Sequence, residues 1–237
     1  MTWTTPTTEQ IRTLRLRDGP NFVVPQEFLS SLILHESGAI YFPIYALDGT
    51  PVGWNGRAPD QKIWSQTLTS EIAPRFTSWT PQLSRIVYAS RSIFLVEGSY
   101  DALALAPVIP WVISTNTSRV QKEILEWCKM WKLHVYTSFD LDLPDPKTQK
   151  ATGQDATQKI TQELYEAGCK VTHVRLPSGS PPRMVLSAQG VPVPIPGIHL
   201  KDPAQAFAVM GPEFHSMILN KVTSACNTPG GLYVRSF

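Results

Sequence analysis

The 237-residue chain changes texture part-way along. Up to residue 90 its apolar runs are short and interrupted by turn residues. Ala39-Ile-Tyr-Phe-Pro-Ile-Tyr45 is largely apolar, Leu47-Asp-Gly-Thr50 has the composition of a hairpin turn, and Pro51-Val-Gly-Trp-Asn-Gly-Arg57 supplies a returning strand. Short strands and turns are expected, with a small antiparallel sheet inside a mixed α+β subdomain. From Ser92 onward, strand-like runs alternate with helical periodicity, which predicts βαβ units and a mainly parallel sheet flanked by helices. Strands are expected near 93–97, 110–114, 133–139 and 170–176, and helices near 99–106, 119–131 and 155–167.

The second helix carries Val120, Ile124, Trp127, Cys128 and Trp131 on one apolar face, and Ser118-x-x-Gln121 has capping-box spacing before it. The third places Ala156, Ile160, Leu164 and Ala167 on one face, with Gly168 where a left-handed cap is usual. Two stretches interrupt the alternation. One is Leu143-Pro-Asp-Pro146 and the polar residues after it; the other is 178–198, with Pro181, Pro182, Pro192, Pro194 and Pro196. Both are expected as surface loops, the second apolar enough to pack as a flap or a short hairpin. The domains this suggests are 1–90, 91–205 with the proline-rich insert, and a carboxyl-terminal extension over 206–237.

Composition narrows the class. With 42% hydrophobic residues the chain can bury a core, and a net charge of +2 announces no bulk attraction to nucleic acid, so any basic path must be local. No apolar run reaches the roughly 18 residues of a membrane span, and Met1-Thr-Trp-Thr-Thr lacks the layout of a signal peptide, so cytoplasmic residence is the expectation. Cys128, Cys169 and Cys226 are odd in number and widely spaced, which encodes neither a disulfide framework nor a zinc module.

The chemistry collects at strand ends. Ile93-Phe-Leu-Val-Glu97 ends an apolar run on a carboxylate, and Gly98 turns the chain at once into a helix that Ser99 can cap. Asp101, in that helix's first turn, either faces the same crevice or stabilises the helix start. Some forty residues on, His134-Val-Tyr-Thr-Ser-Phe-Asp140 does the same, and Asp142, two residues later, shares a face with Asp140 in extended chain. A third acidic position follows at Lys201-Asp202-Pro203. Acids at the carboxyl ends of neighbouring strands of an α/β sheet lie where that architecture places ligands. An all-carboxylate cluster suits Mg²⁺ (or Mn²⁺), which takes oxygen ligands and is commonly held by one or two carboxylates and substrate phosphates.

Val96-Glu-Gly-Ser-Tyr-Asp-Ala-Leu103 resembles the Glu-Gly motif of the TOPRIM fold, and Phe139-Asp-Leu-Asp142 resembles its Asp-x-Asp motif. Tyr41 to Arg57, Gln61-Lys62-Ile-Trp-Ser65, Leu176-Pro-Ser-Gly179 and Lys201-Asp-Pro203 are similar, in one consistent order, to segments of DnaG-type primases. The resemblance covers about residues 38–205. It implies a nucleotidyltransferase that joins ribonucleoside triphosphates into RNA primers on single-stranded DNA. On that resemblance Glu97 and Asp101 are the catalytic candidates and Glu97, Asp140, Asp142 and Asp202 the metal ligands. Arg57, Lys62 and Lys201 are the candidates for template or nucleotide phosphates. Arg75, Arg85 and Arg91, interleaved with Trp54, Trp64, Phe76 and Trp79, are further candidates for a basic, aromatic path.

Departures from the family pattern are Leu143-Pro-Asp-Pro146 after the Asp-x-Asp motif and Ala204 where primases often place another acid. The zinc-binding and helicase-meeting regions usual in such primases have no counterpart in the motifs here. The resemblance therefore implies a minimal phage or plasmid primase, with a replicative helicase or a zinc-domain partner acting in trans. The alternatives are a single-stranded DNA-binding replication accessory of the same fold and a TOPRIM nuclease.

Overall fold

The computed structural model describes residues 3–14, 26–45, 50–58, 62–67, 82–116, 120–140, 152–176, 183–186, 192–195 and 200–226. Within the first ninety residues, strands β1 (Trp3–Thr4), β2 (Ile33–His35), β3 (Ile40–Tyr45), β4 (Pro51–Arg57) and β5 (Lys62–Thr67) form an antiparallel sheet in sequential order. In β3, Ile40, Phe42 and Ile44 share one face and are buried, and Pro43 between them is buried as well. The expected turn at 47–50 falls mostly outside the described residues.

Helices α1 (Thr8–Leu14), α2 (Gln26–Leu29) and α3 (Leu83–Ser90) accompany these strands, in keeping with a mixed α+β subdomain, although the hydrophobic pattern did not locate them. The signal for α1 is short: Gln10 N–H donates to Thr7 Oγ1 (3.2 Å) and Thr7 N–H to Gln10 Oε1 (2.8 Å), a reciprocal capping box.

The second half follows the predicted alternation closely. Strands β6 (Ser92–Val96), β7 (Val112–Ser114), β8 (His134–Ser138) and β9 (Lys170–His173) alternate with α4 (Ser99–Leu105), α5 (Lys122–Trp131) and α6 (Thr152–Glu166). The four strands form a parallel sheet in the order β7-β6-β8-β9. All of β6 is buried, as expected of a parallel strand covered on both faces. Phe94 and Val96 join one apolar cluster with α4, while Ile93 and Leu95 join the other with α3, α5 and α6. Helix α5 starts later than the Ser118 box predicts: Gln121 is its N-cap without a side-chain cap bond, and Gln121 Nε2 instead donates to Thr115 O (2.9 Å). Gly168 has φ +81°, the left-handed conformation expected after α6.

The proline-rich insert contains an antiparallel hairpin of β10 (Arg183–Leu186) and β11 (Pro192–Ile195). Beyond it, α7 (Pro203–Met210) and α8 (Pro212–Cys226) complete the described residues. Phe214, Ile218 and Val222, spaced by four along α8, lie in the same cluster as Ile11 and Phe42 of the first ninety residues and Phe94 and Tyr136 of the parallel sheet. No helix among the described residues is long and apolar enough to cross a membrane.

Two expectations about stability follow. Phe214 is fully buried, so Phe214→Ala should cost about 3–5 kcal/mol in urea unfolding; a loss under about 1 kcal/mol would contradict a shared core. His134 stacks on Tyr136 at 4.2 Å, and burial with the neighbouring Lys170 charge lowers its pKa to about 4. Burial likewise lowers His173 and His215. Below pH 6.5 the unfolded chain takes up protons that the folded chain refuses, so stability is full above pH 6.5 and falls as the pH drops toward 4. A melting series from pH 7 to 4.5 should show this decline, and His134→Gln should flatten it; equal slopes would contradict the assignment.

Candidate active site

Strand β6 connects to β7 on one side through α4, and β8 connects to β9 on the other through α6, so the winding diverges between β6 and β8. In an open α/β sheet the crevice beyond the carboxyl ends of such strands is the ligand position. Val96 and Ser138 are register partners. Glu97 therefore emerges at the level of Phe139, on strands about 4.8 Å apart, and Asp140 stands one residue further along. Glu97 and Asp140 are both partly exposed.

The turn after Glu97 is built differently from the sequence expectation. Gly98, not Ser99, is the N-cap of α4. Its N–H donates to Asp101 Oδ2 (2.9 Å), and the second oxygen, Oδ1, accepts from Ala204 N–H at the start of α7 (3.1 Å). Asp101 is 5% exposed, so it is buried between two helix N-termini and not open to the crevice. The need for glycine at 98 is spatial, since φ is an ordinary −106° while a Cβ would meet Asp101 Oδ2 at 2.8 Å.

The third acidic position also takes a local role. Asp202 is the N-cap of α7, its Oδ1 accepting from Gln205 N–H (2.7 Å), while Lys201 N–H donates to Gln205 Oε1 (2.8 Å). Lys201 itself reaches the crevice, with Nζ 3.1 Å from Asp140 Oδ2, the lysine side chain 44% exposed and the aspartate 18%. With the lysine this open to solvent, the pair is worth at most about 1 kcal/mol.

Among the described residues no three His, Cys, Asp or Glu side chains lie together as a metal-holding group. Asp142 lies outside the described residues. Glu97 and Asp140 stand on adjacent strand ends, while Asp202 caps α7 through one carboxylate oxygen, Oδ1. Oxygen donors alone, with one or two carboxylates, are still what Mg²⁺ accepts.

Of the basic candidates, Arg57 and Lys62 are register partners where β4 and β5 run antiparallel. Arg57 is partly exposed, and the side chain of Lys62 is outside the description. Arg91 does not belong to the crevice. It precedes β6 at the opposite end of the sheet, its guanidinium 4.4 Å from the Tyr88 ring centroid. Arg75, Phe76 and Trp79 fall outside the described residues.

Sequence reasoning missed a polar cluster beside Glu97. Asn55 Nδ2 donates to Ser99 Oγ (3.1 Å) and to Asn116 Oδ1 (2.7 Å), and the hydroxyls of Ser99 and Ser114 lie 2.8 and 2.9 Å from the same Asn116 oxygen. Asn116 has φ +56°, a left-handed conformation that asparagine tolerates better than most residues. The available signal was the polar run Ser114-Thr-Asn116 closing an apolar strand.

A four-stranded parallel sheet with acids on two adjacent strand ends, together with an antiparallel sheet, makes an α/β fold. More particularly, the fold is that of DnaG-type primase catalytic cores. The crystal structure of the Aquifex aeolicus primase, comprising zinc-binding and RNA polymerase domains, matches with TM-score 0.54 and 20% identity over 82% of this chain and 44% of its own. A DnaG primase catalytic domain bound to single-stranded DNA matches with TM-score 0.50 and 15% identity over 85% and 63%. The chain spans less than two thirds of either solved chain. No protein-family model and no characterised protein sequence matches it.

The buried carboxylate makes a distinguishing prediction. Asp101→Asn, which presents an amide where a backbone N–H must be accepted, should cost about 2–4 kcal/mol in urea unfolding. Gly98→Ala, which crowds the same oxygen, should cost about 1–3 kcal/mol. Unchanged stability of Asp101→Asn would contradict its placement as the tie between α4 and α7.

Proposed function

We propose that the chain is the catalytic core of a DNA primase, a nucleotidyltransferase that makes RNA primers on a single-stranded DNA template. The observation that carries this reading is the position of Glu97 and Asp140 on adjacent strand ends, at the switch point of a sheet that has the DnaG-type core fold. In the reaction, the 3′-hydroxyl of the primer attacks the α-phosphorus of the incoming ribonucleoside triphosphate. A phosphorus–oxygen bond forms, the α–β anhydride breaks, and pyrophosphate leaves. Glu97 either takes the hydroxyl proton or helps organise the ion; Asp140 and Asp142 are its carboxylate partners. Mg²⁺ or Mn²⁺, if held there by these carboxylates, would supply positive charge to the reacting phosphate.

Lys201 lies 3.1 Å from Asp140 and is placed to exchange that carboxylate for a phosphate. Arg57 and Lys62 offer cations to the template or nucleotide backbone. Asp101 and Asp202 shape the crevice through the starts of α4 and α7 and serve as supports. A replicative helicase and a zinc-domain partner in trans complete this reading, in the cytoplasm of a bacterial or phage-infected cell.

A second reading has one observation in its favour. The ammonium of Lys201 on Asp140 competes with any metal for that carboxylate, as it would in an accessory protein that keeps the fold to bind single-stranded DNA without chemistry. Incubation with single-stranded DNA, Mg²⁺ or Mn²⁺ and labelled ribonucleotides separates the readings. Primers are expected from the wild type, with yields reduced at least about 100-fold by Glu97→Gln and by Asp140→Asn. Retained DNA binding without product, even with the cognate helicase, would replace the primase reading by the accessory one, and a shortened template would indicate a nuclease.

A further inference from the structure

We propose that Asn55, Ser99 and Asn116 form a latch that sets the antiparallel sheet, and with it Arg57, against the Glu97 turn. The positioning role rests on the reading above; the existence of the latch does not.

Three elements meet at the latch: β4, the first residue of α4 and the residue two positions after β7. Asn55 donates to Ser99 Oγ (3.1 Å) and to Asn116 Oδ1 (2.7 Å), and Ser99 Oγ lies 2.8 Å from the same Asn116 oxygen. Ser99 is buried, and Asn55 and Asn116 are partly buried, so these bonds are formed with restricted access to water and are costly to leave unmade.

The strand opposite Asn55 and the backbone of Asn116 are both irregular. The β4–β5 register shifts between Trp54 and Gly56: Trp54 pairs with Gln66 and Gly56 with Ile63, leaving Trp64 and Ser65 opposite Asn55 alone. Such a bulge re-aims side chains and recurs beside functional sites. Asn116, for its part, has φ +56°, which a non-glycine residue adopts only at some cost. A bulge opposite Asn55 and the left-handed Asn116 thus flank one hydrogen-bond network, which includes Ser99, two places after Glu97.

Arg57 follows Asn55 by two residues on β4, so the two share a face of the strand. Fixing Asn55 to the start of α4 fixes the direction from which Arg57 approaches the crevice. The Phe42–Tyr100 edge contact, with ring centroids 4.9 Å apart, already clamps β3 to α4 by apolar packing. The latch adds the directional part, which apolar contact alone does not provide.

The test begins with a double-mutant cycle in thermal unfolding, using Asn55→Ala and Asn116→Gly. Glycine relieves the left-handed backbone, so without a latch Asn116→Gly should hold or raise the melting temperature. With the latch, each single variant should melt about 3–6 °C lower, and the double variant no lower than the worse single. Additive losses, or a raised melting temperature in Asn116→Gly, would overturn the latch.

The positioning role is read from primer synthesis by Asn55→Ala at saturating nucleotide and template. The expected result is a kcat about 10-fold lower, with the salt dependence of single-stranded DNA binding unchanged because no cation is lost. Asn55→Gln, which keeps the amide, should recover part of the rate. A coupled stability cycle with unchanged kcat would overturn the positioning role. Coupling in a wild type that makes no primers would overturn the primase reading and leave the latch standing.

Discussion

Asp101 is a carboxylate with almost no access to water, and the ground beneath the crevice is arranged around the two backbone amides it accepts from. One belongs to Gly98, at the start of α4, and the other to Ala204, at the start of α7. Burying a carboxylate costs several kcal/mol unless its lone pairs are met. Here two helix N-termini, each carrying partial positive charge, meet them together. The site depends on this junction in two ways. Glu97 leaves β6 at an angle set by Gly98, and Lys201 reaches Asp140 because the chain before α7 is held by Asp101 on one side and Asp202 on the other.

Much of the parallel half was legible because local signals there agreed with one another. Glu97 and Asp140 each close an apolar run in a βαβ series, and those runs became adjacent strands. Gly168 marked the end of α6 through its need for a left-handed conformation. The carboxyl ends of β6 and β8 therefore followed from hydrophobic periodicity. What lay beyond reach were roles decided by partners distant in sequence. Asp101 looked equally suited to crevice or helix start, and Ala204, more than a hundred residues later, places it at the helix start. Asp202, a ligand candidate by the resemblance, also caps α7 through Oδ1, a role set by Gln205 N–H three residues on. Lys201 gives Asp140 the basic neighbour that its own flanks lack. In the first ninety residues, Thr7-x-x-Gln10 carried a readable helix signal that the turn-rich composition around it obscured.

The two acids of the crevice differ in their surroundings. Glu97 stands at the head of a buried strand with the polar cluster of Asn55, Ser99 and Asn116 immediately after it, so its backbone is braced from two sheets. Asp140 ends its strand beside a partly exposed lysine. The first arrangement favours fixed geometry and the second an exchangeable counter-charge. The proposed primer synthesis, which must align one group while admitting successive phosphates, would draw on both properties.

The placement of Ile11 and Val222 in one apolar cluster bears on how the protein is made. Because that cluster joins α1 to α8 across most of the described residues, it cannot close until α8 has left the ribosome, and β3 and β6 emerge before it with apolar faces uncovered. Contacts of such long sequence separation also form slowly once synthesis ends. Until α8 arrives, the apolar faces of β3 and β6 are thus open to aggregation.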